Sequence, residues 1–310
     1  MKWFNARLAG AVICGAFLVN GATVQAADMI TFDPDGSGPI DPVEVATIDF
    51  GPANALSAGT DDAGFPPTVT FTQYSQGTLS SLLDADDNQV MVPGLNEPGG
   101  FEITIMSAYA GKADLVANFG DISVYSLGLD AGEPNWVSLF YDDDPSTRAD
   151  PKTGKGFGDG TKIFEGRIVG VSSTSYFVVD SSAEVDLDQS GDGNDLPGVK
   201  THEGGGHVSV RIEPEYVDNN FFKSLFIEAE FQTESTTPFD KVNPSELFND
   251  VASDPLITSV TPSRGAVNSP NNLDDFQFQT DGSASFIVPE PSTVVLVGLG
   301  ALAMLRRRRG

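Results

Sequence analysis

Five oxygen-bearing residues of "DPDGSGPIDPVE" are spaced to hold a hard cation. Asp33, Asp35, Ser37, Asp41 and Glu44 stand at positions 1, 3, 5, 9 and 12 of a calcium-loop spacing, with Gly38 sixth and Ile40 eighth. Calcium takes six to eight oxygens, and acidic side chains at alternating positions converge on one point when such a loop curls. Pro34, Pro39 and Pro42 oppose the curl, and no helical pattern leads into it. An acidic turn ahead of a strand therefore stands beside the Ca2+ reading.

The other reactive residue types are sparser. "DLDQSGDGND" at residues 186–195 repeats the spacing with Asp186, Asp188, Ser190 and Asp192, but its twelfth position is Pro197. "YDDDPSTRAD" reads as a solvated loop. In "HEGGGH" the two histidines are five apart, whereas a helical zinc pair needs four, and three glycines oppose a helix. With no third strong ligand the stretch reads as a loop. Nucleophilic catalysis needs a base beside a serine or cysteine, and His202 and His207 sit in no such arrangement. Paired carboxylates for glycoside cleavage stay open, since acids abound and any pair chosen from sequence is arbitrary. Trp136 in "GEPNWVSLF" offers either a stacking platform for a sugar or a core aromatic.

The elements that must position these residues are strands. "TVTFTQYSQGTL", "GFEITIMSAY", "TKIFEGRIVGV", "TSYFVVD", "HVSVRIEPEYV" and "SLFIEAEFQT" alternate apolar and polar residues between Gly, Pro, Asn and Asp. "DDFQFQTDGSASFIV" predicts a closing hairpin turning at Asp281-Gly282. "VNPSELFNDV" predicts one short helix capped near Asn243 or Ser245. The pattern predicts an all-β fold, an antiparallel β-sandwich of jelly-roll type.

The two ends are different. Lys2 and Arg7, an apolar stretch and Val24-Gln25-Ala26 predict a secretory signal peptide cleaved between Ala26 and Ala27. At the other end come Pro289, Glu290 and Pro291, then an uncharged run over residues 294–305, then Arg306, Arg307, Arg308 and Arg309. Such a run rises only about 20 Å as a helix, short of the roughly 30 Å of a bilayer core. It predicts transient retention in a membrane, with the arginines on the cytoplasmic side. This order of parts resembles the PEP-CTERM sorting signal. The resemblance implies processing by an exosortase-type enzyme at the inner membrane of a Gram-negative bacterium, followed by release to the cell surface or extracellular matrix, often alongside exopolysaccharide. The chain thus divides into a signal peptide at 1–26, a secreted β-domain at 27–286 and a sorting signal with its helix at 287–310.

Removing six basic residues with these two ends leaves 17 minus 6 against 44 acidic residues, a net charge of about −33. Such a surface repels nucleic acid and favours divalent cations. Cys14 falls in the signal peptide, so the body has no disulfide. "DFGPANALSAG", "VPGLNEPGGFEITIMSAY", "GFGDGTKIFEGRI", "LDQSGDGNDLPGV" and "FQFQTDGSASF" occur in an order that resembles flocculation-associated PEP-CTERM proteins. That resemblance implies a non-enzymatic matrix protein that aggregates cells with extracellular polysaccharide. The competing expectations are a secreted glycoside-active enzyme and a carbohydrate-binding module.

Overall fold

The computed structural model describes residues 29–36, 38–59, 67–130, 132, 134–144, 146–248, 259–263 and 275–288. The signal peptide with Ala26 and Ala27 lies outside these, as does the sorting signal beyond Val288. The described residues form thirteen strands and no helix. They are β1 (Ile30–Phe32), β2 (Val43–Val45), β3 (Thr47–Ala58), β4 (Thr68–Leu83), β5 (Gln89–Val90), β6 (Glu102–Phe119) and β7 (Ile122–Leu129). Then follow β8 (Asn135–Asp142), β9 (Thr161–Val171), β10 (Tyr176–Asp186), β11 (Lys200–Val217), β12 (Glu228–Thr237) and β13 (Asp275–Ile287). The all-β, antiparallel expectation holds.

Period-two alternation sets the faces. In β12, Ala229 and Phe231 are buried inward, while Glu230, Gln232 and Glu234 take the other face. In β4, Val69, Phe71, Gln73 and Ser75 point inward and the intervening threonines outward.

Two strands organise the topology. β6 and β11, each of 18 residues, pair with three neighbours apiece. One wall is β4-β3-β13-β12, flanked by β6 and β11. Across from it, β8 and β9 join the N-terminal half of β6 to the C-terminal half of β11. β7 and β10 join the other two halves. The sheet therefore closes twice around one interior. Two facing walls make a sandwich whose edges are joined, which leaves few free edges for unwanted pairing.

The β8–β9 level is filled by apolar side chains. Ile48, Phe50, Leu79, Ile103, Phe164 and Phe286 come from the strands, and the β1–β2 hairpin and residues 218–227 add Phe32, Phe222 and Phe226. The rings interlock, Phe32 with Phe222 at 5.0 Å and Phe226 edge-on to Phe286 at 4.9 Å. The β7–β10 level instead holds a partly open chamber of about 140 Å³.

Three local expectations are corrected. Asp281-Gly282 makes no turn. β13 runs unbroken through it, with a register shift between Thr280 and Gly282 against β3. A Cβ at Gly282 would lie 2.9 Å from the Phe231 ring, so the glycine serves close packing in a bulged strand. "HEGGGH" is no loop but part of β11, where a Cβ at Gly206 would strike the Tyr176 carbonyl of β10 at 2.3 Å. Residues 243–248 are not helical. They belong to a strap over the outer face of β3, β4 and β13, held by buried side-chain amides. Asn54 accepts from Ser245 N at 2.8 Å and donates to Asn243 O at 3.0 Å. Gln76 donates to Leu247 O, Gln277 donates to Ser245 O, and Gln279 accepts from the backbone N–H groups of Asp240 and Lys241. A backbone so engaged cannot make helical bonds.

Candidate functional site

The first acidic loop is folded around its own backbone. Gly36, at φ +73°, turns the chain so tightly against Phe221 that a Cβ would lie 2.5 Å from that ring. Asp35 then accepts from the N–H groups of Gly38 and Ile40, at 3.2 and 3.1 Å. Asp33 is buried, with Oδ2 3.2 Å from Lys223 Nζ and Oδ1 without a partner. Glu44 accepts from Thr31 Oγ1 at 2.7 Å, Asp41 is exposed, and Ser37 lies outside the described residues. Among the described residues no group of three or more His, Cys, Asp or Glu side chains gathers to hold a metal ion.

The second loop gathers oxygens more closely. Asp188 is buried, and Asp195 N donates to its Oδ2 at 2.7 Å. Ser190 Oγ lies 2.6 Å from Asp188 Oδ1, 2.9 Å from Asp192 Oδ1 and 2.6 Å from Asn243 Oδ1 of the strap. One hydroxyl proton serves only one of these three acceptors at a time. Hydrogen bonds from Asn243 first, then Ser190, hold the Asp192 carboxyl below its ordinary pKa. The set has two carboxylates, one hydroxyl and one amide oxygen, all hard donors of the kind calcium accepts. Asp186, the first residue of the sequence-read spacing, pairs with Lys200 instead.

His202 is buried, its Nδ1 3.1 Å from the Ala183 carbonyl, and His207 Nδ1 lies 3.0 Å from Glu234 Oε1. Trp136 is the second residue of β8 and is half-buried against Met106, Phe140 and Phe157 on the sheet's outer face. Sequence reasoning missed Glu102. It is 4% exposed at the start of β6, accepts from Ala149 N at 2.7 Å and lies 3.9 Å from the Arg148 guanidinium. Desolvation raises its pKa, against the opposing pull of the Ala149 N–H and Arg148.

The root of the tail lies at the filled end of the interior. Phe32 bridges antiparallel to Phe222, and Lys223 N donates to Thr31 O at 2.9 Å. Ile227 N donates to Ile287 O at 2.9 Å. At the rim where β13 ends, Leu225, Ile227 and Ile287 are exposed apolar side chains, as is Met29 ahead of β1.

Fold and rim together define an all-β body whose last strand passes directly into a C-terminal sorting sequence. Residues 288–309 match the PEP-CTERM protein-sorting motif. The motif covers Pro289, Glu290, Pro291 and the arginines Arg306 to Arg309, and it implies an exosortase-sorted protein secreted to the cell surface. No curated protein and no solved structure matches the chain.

Proposed function

We propose that this is a non-enzymatic protein of the extracellular matrix, which promotes cell aggregation or floc formation together with exopolysaccharide. The observation that carries the reading is the sorting motif at residues 288–309, joined to an acidic β body. Its transient stop is the inner membrane of a Gram-negative cell. The body works through many weak contacts to polysaccharide, directly or through divalent cations, multiplied by valency. The Trp136 face supports a second reading as a carbohydrate-binding module, since part of the indole stays accessible.

Deletion of the gene tests the main reading. Floc size should fall while the polymer is still made. Unchanged flocs, or loss of the polymer itself, would overturn it. Glycan binding that depends on Trp136→Ala would favour the second reading, and polysaccharide cleavage by the purified chain would favour an enzyme.

A further inference from the structure

The chamber at the β7–β10 level is unlike the rest of this molecule. The chain carries 44 acidic and 17 basic residues, yet among the described residues no Asp, Glu, Lys, Arg or His lines the chamber. Its walls are chiefly aromatic and aliphatic, with Gln73 and several serines and threonines between them. Phe71 of β4 and Tyr109 of β6 stand together, ring centroids 6.5 Å apart. Phe177 of β10 reaches across the interior to Phe276 and Phe278 of β13, at 5.6 and 5.7 Å, although β10 and β13 are not paired strands. Closed eight-stranded sheets are just wide enough to be filled by side chains or to hold one small ligand. Here one level is filled with phenylalanines and the other is not.

We propose that this chamber is a binding site for one small, uncharged, largely aromatic molecule, between benzene and indole in size. Volume sets the size, since an engineered apolar cavity of about 150 Å³ stays dry and takes up benzene or xenon, and this one measures about 140 Å³. Chemistry sets the class. A charged ligand would shed its water with no opposite charge to meet it. Burial likewise raises the pKa of the Tyr125 phenol on the wall. One polar group on the ligand is accommodated, because Ser75 and Ser107 on the chamber wall share a single hydrogen bond between two hydroxyls. That pair keeps a second proton and spare lone pairs. Ring faces on opposite walls favour a planar guest, held by offset or edge contacts.

The test is calorimetric titration of the purified full chain with indole, with benzene and with benzoate as the charged counterpart. Indole and benzene should bind saturably at one site, and benzoate at least a hundredfold more weakly. Val208→Phe puts a ring into the chamber from β11 and should weaken indole binding at least tenfold without lowering the melting temperature. Ser107→Leu fills the space from the opposite wall and serves if Val208→Phe does not fold. Phe119→Ser, on an exposed hairpin tip, should leave binding unchanged. Xenon-pressurised crystals should show density in the chamber. Absence of saturable binding, equal binding of benzoate, or indole binding indifferent to both filling variants would overturn the proposal.

Discussion

Asn54→Ala removes the clamp that fastens the strap to the sheet. Asn54 is fully buried, and three partners depend on it: Ser245 N at 2.8 Å, Asn243 O at 3.0 Å and Pro151 O at 3.3 Å. A buried group left without a partner costs about 1–3 kcal/mol. The Ser245 N–H and the Asn243 carbonyl are the closely held pair, while the Pro151 contact is long and weak. Their loss, with a small void where the amide was, sums to about 3 kcal/mol. For a domain of this size 1 kcal/mol moves the melting temperature by roughly 2–4 °C, so a fall of about 6–12 °C is expected. Thermal and urea unfolding followed by circular dichroism measure it. Asn88→Ala is the control, because that exposed amide bonds only Asp84, and it should stay within about 0.5 kcal/mol of wild type. Limited proteolysis should also cut the strap faster in Asn54→Ala. A melting temperature within about 2 °C of wild type, equivalent to less than about 1 kcal/mol, would refute the clamp.

Glu102→Gln should stabilise the protein more at pH 7 than at pH 4. The folded carboxyl holds its proton to higher pH than the unfolded one, so wild type loses stability as pH rises from the ordinary Glu range through the folded value. Unfolding of both proteins across that range would contradict this if the two curves ran parallel. Replacing Pro289, Glu290 and Pro291 with alanines should trap the chain at the inner membrane; normal release of the variant into the medium would count against exosortase sorting. Calcium at millimolar concentration should raise the melting temperature more than magnesium does, by mass action on the folded state. Asp188→Asn with Asp192→Asn should remove more of that difference than Asp33→Ala with Asp35→Ala, because Asp33 already has Lys223 beside it and Asp35 is turned to its own backbone. Equal shifts with both ions in every variant would leave only acidic turns.

Strands were legible in the sequence wherever one face is apolar. In β12 the alternation of Phe231 with Glu230 and Gln232 is a local property. The double closure was not legible, because it rests on β6 and β11 each changing partner halfway along, and nothing local marks that exchange. The chamber follows from the closure and was hidden with it. The roles of Asn54, Gln76, Gln277 and Gln279 were hidden for a related reason. Polar residues on the outward face of a strand look solvated, and only the strap that crosses them makes them core. Asp281-Gly282 has the composition of a turn, but Phe231 on the neighbouring strand gives the glycine another purpose. The sorting motif was legible in full because a linear signal needs no partner elsewhere in the chain.

The position of β13 has a mechanical consequence. Any load that reaches the body through residues 288–309 enters at Ile287, the last residue of a strand bonded on one side to β12 and on the other to β3. Its ladder bonds lie across the strand, perpendicular to a pull along it. Tension directed along β13 therefore shears both ladders at once rather than opening them one bond after another. A peeling geometry would fail at the force of a single bond, whereas here the bonds from Glu228 to Thr236 and from Thr47 to Ala58 share the strain. Suspended by its C-terminus in a moving fluid, this body would hold where a chain tethered through an edge strand would unzip.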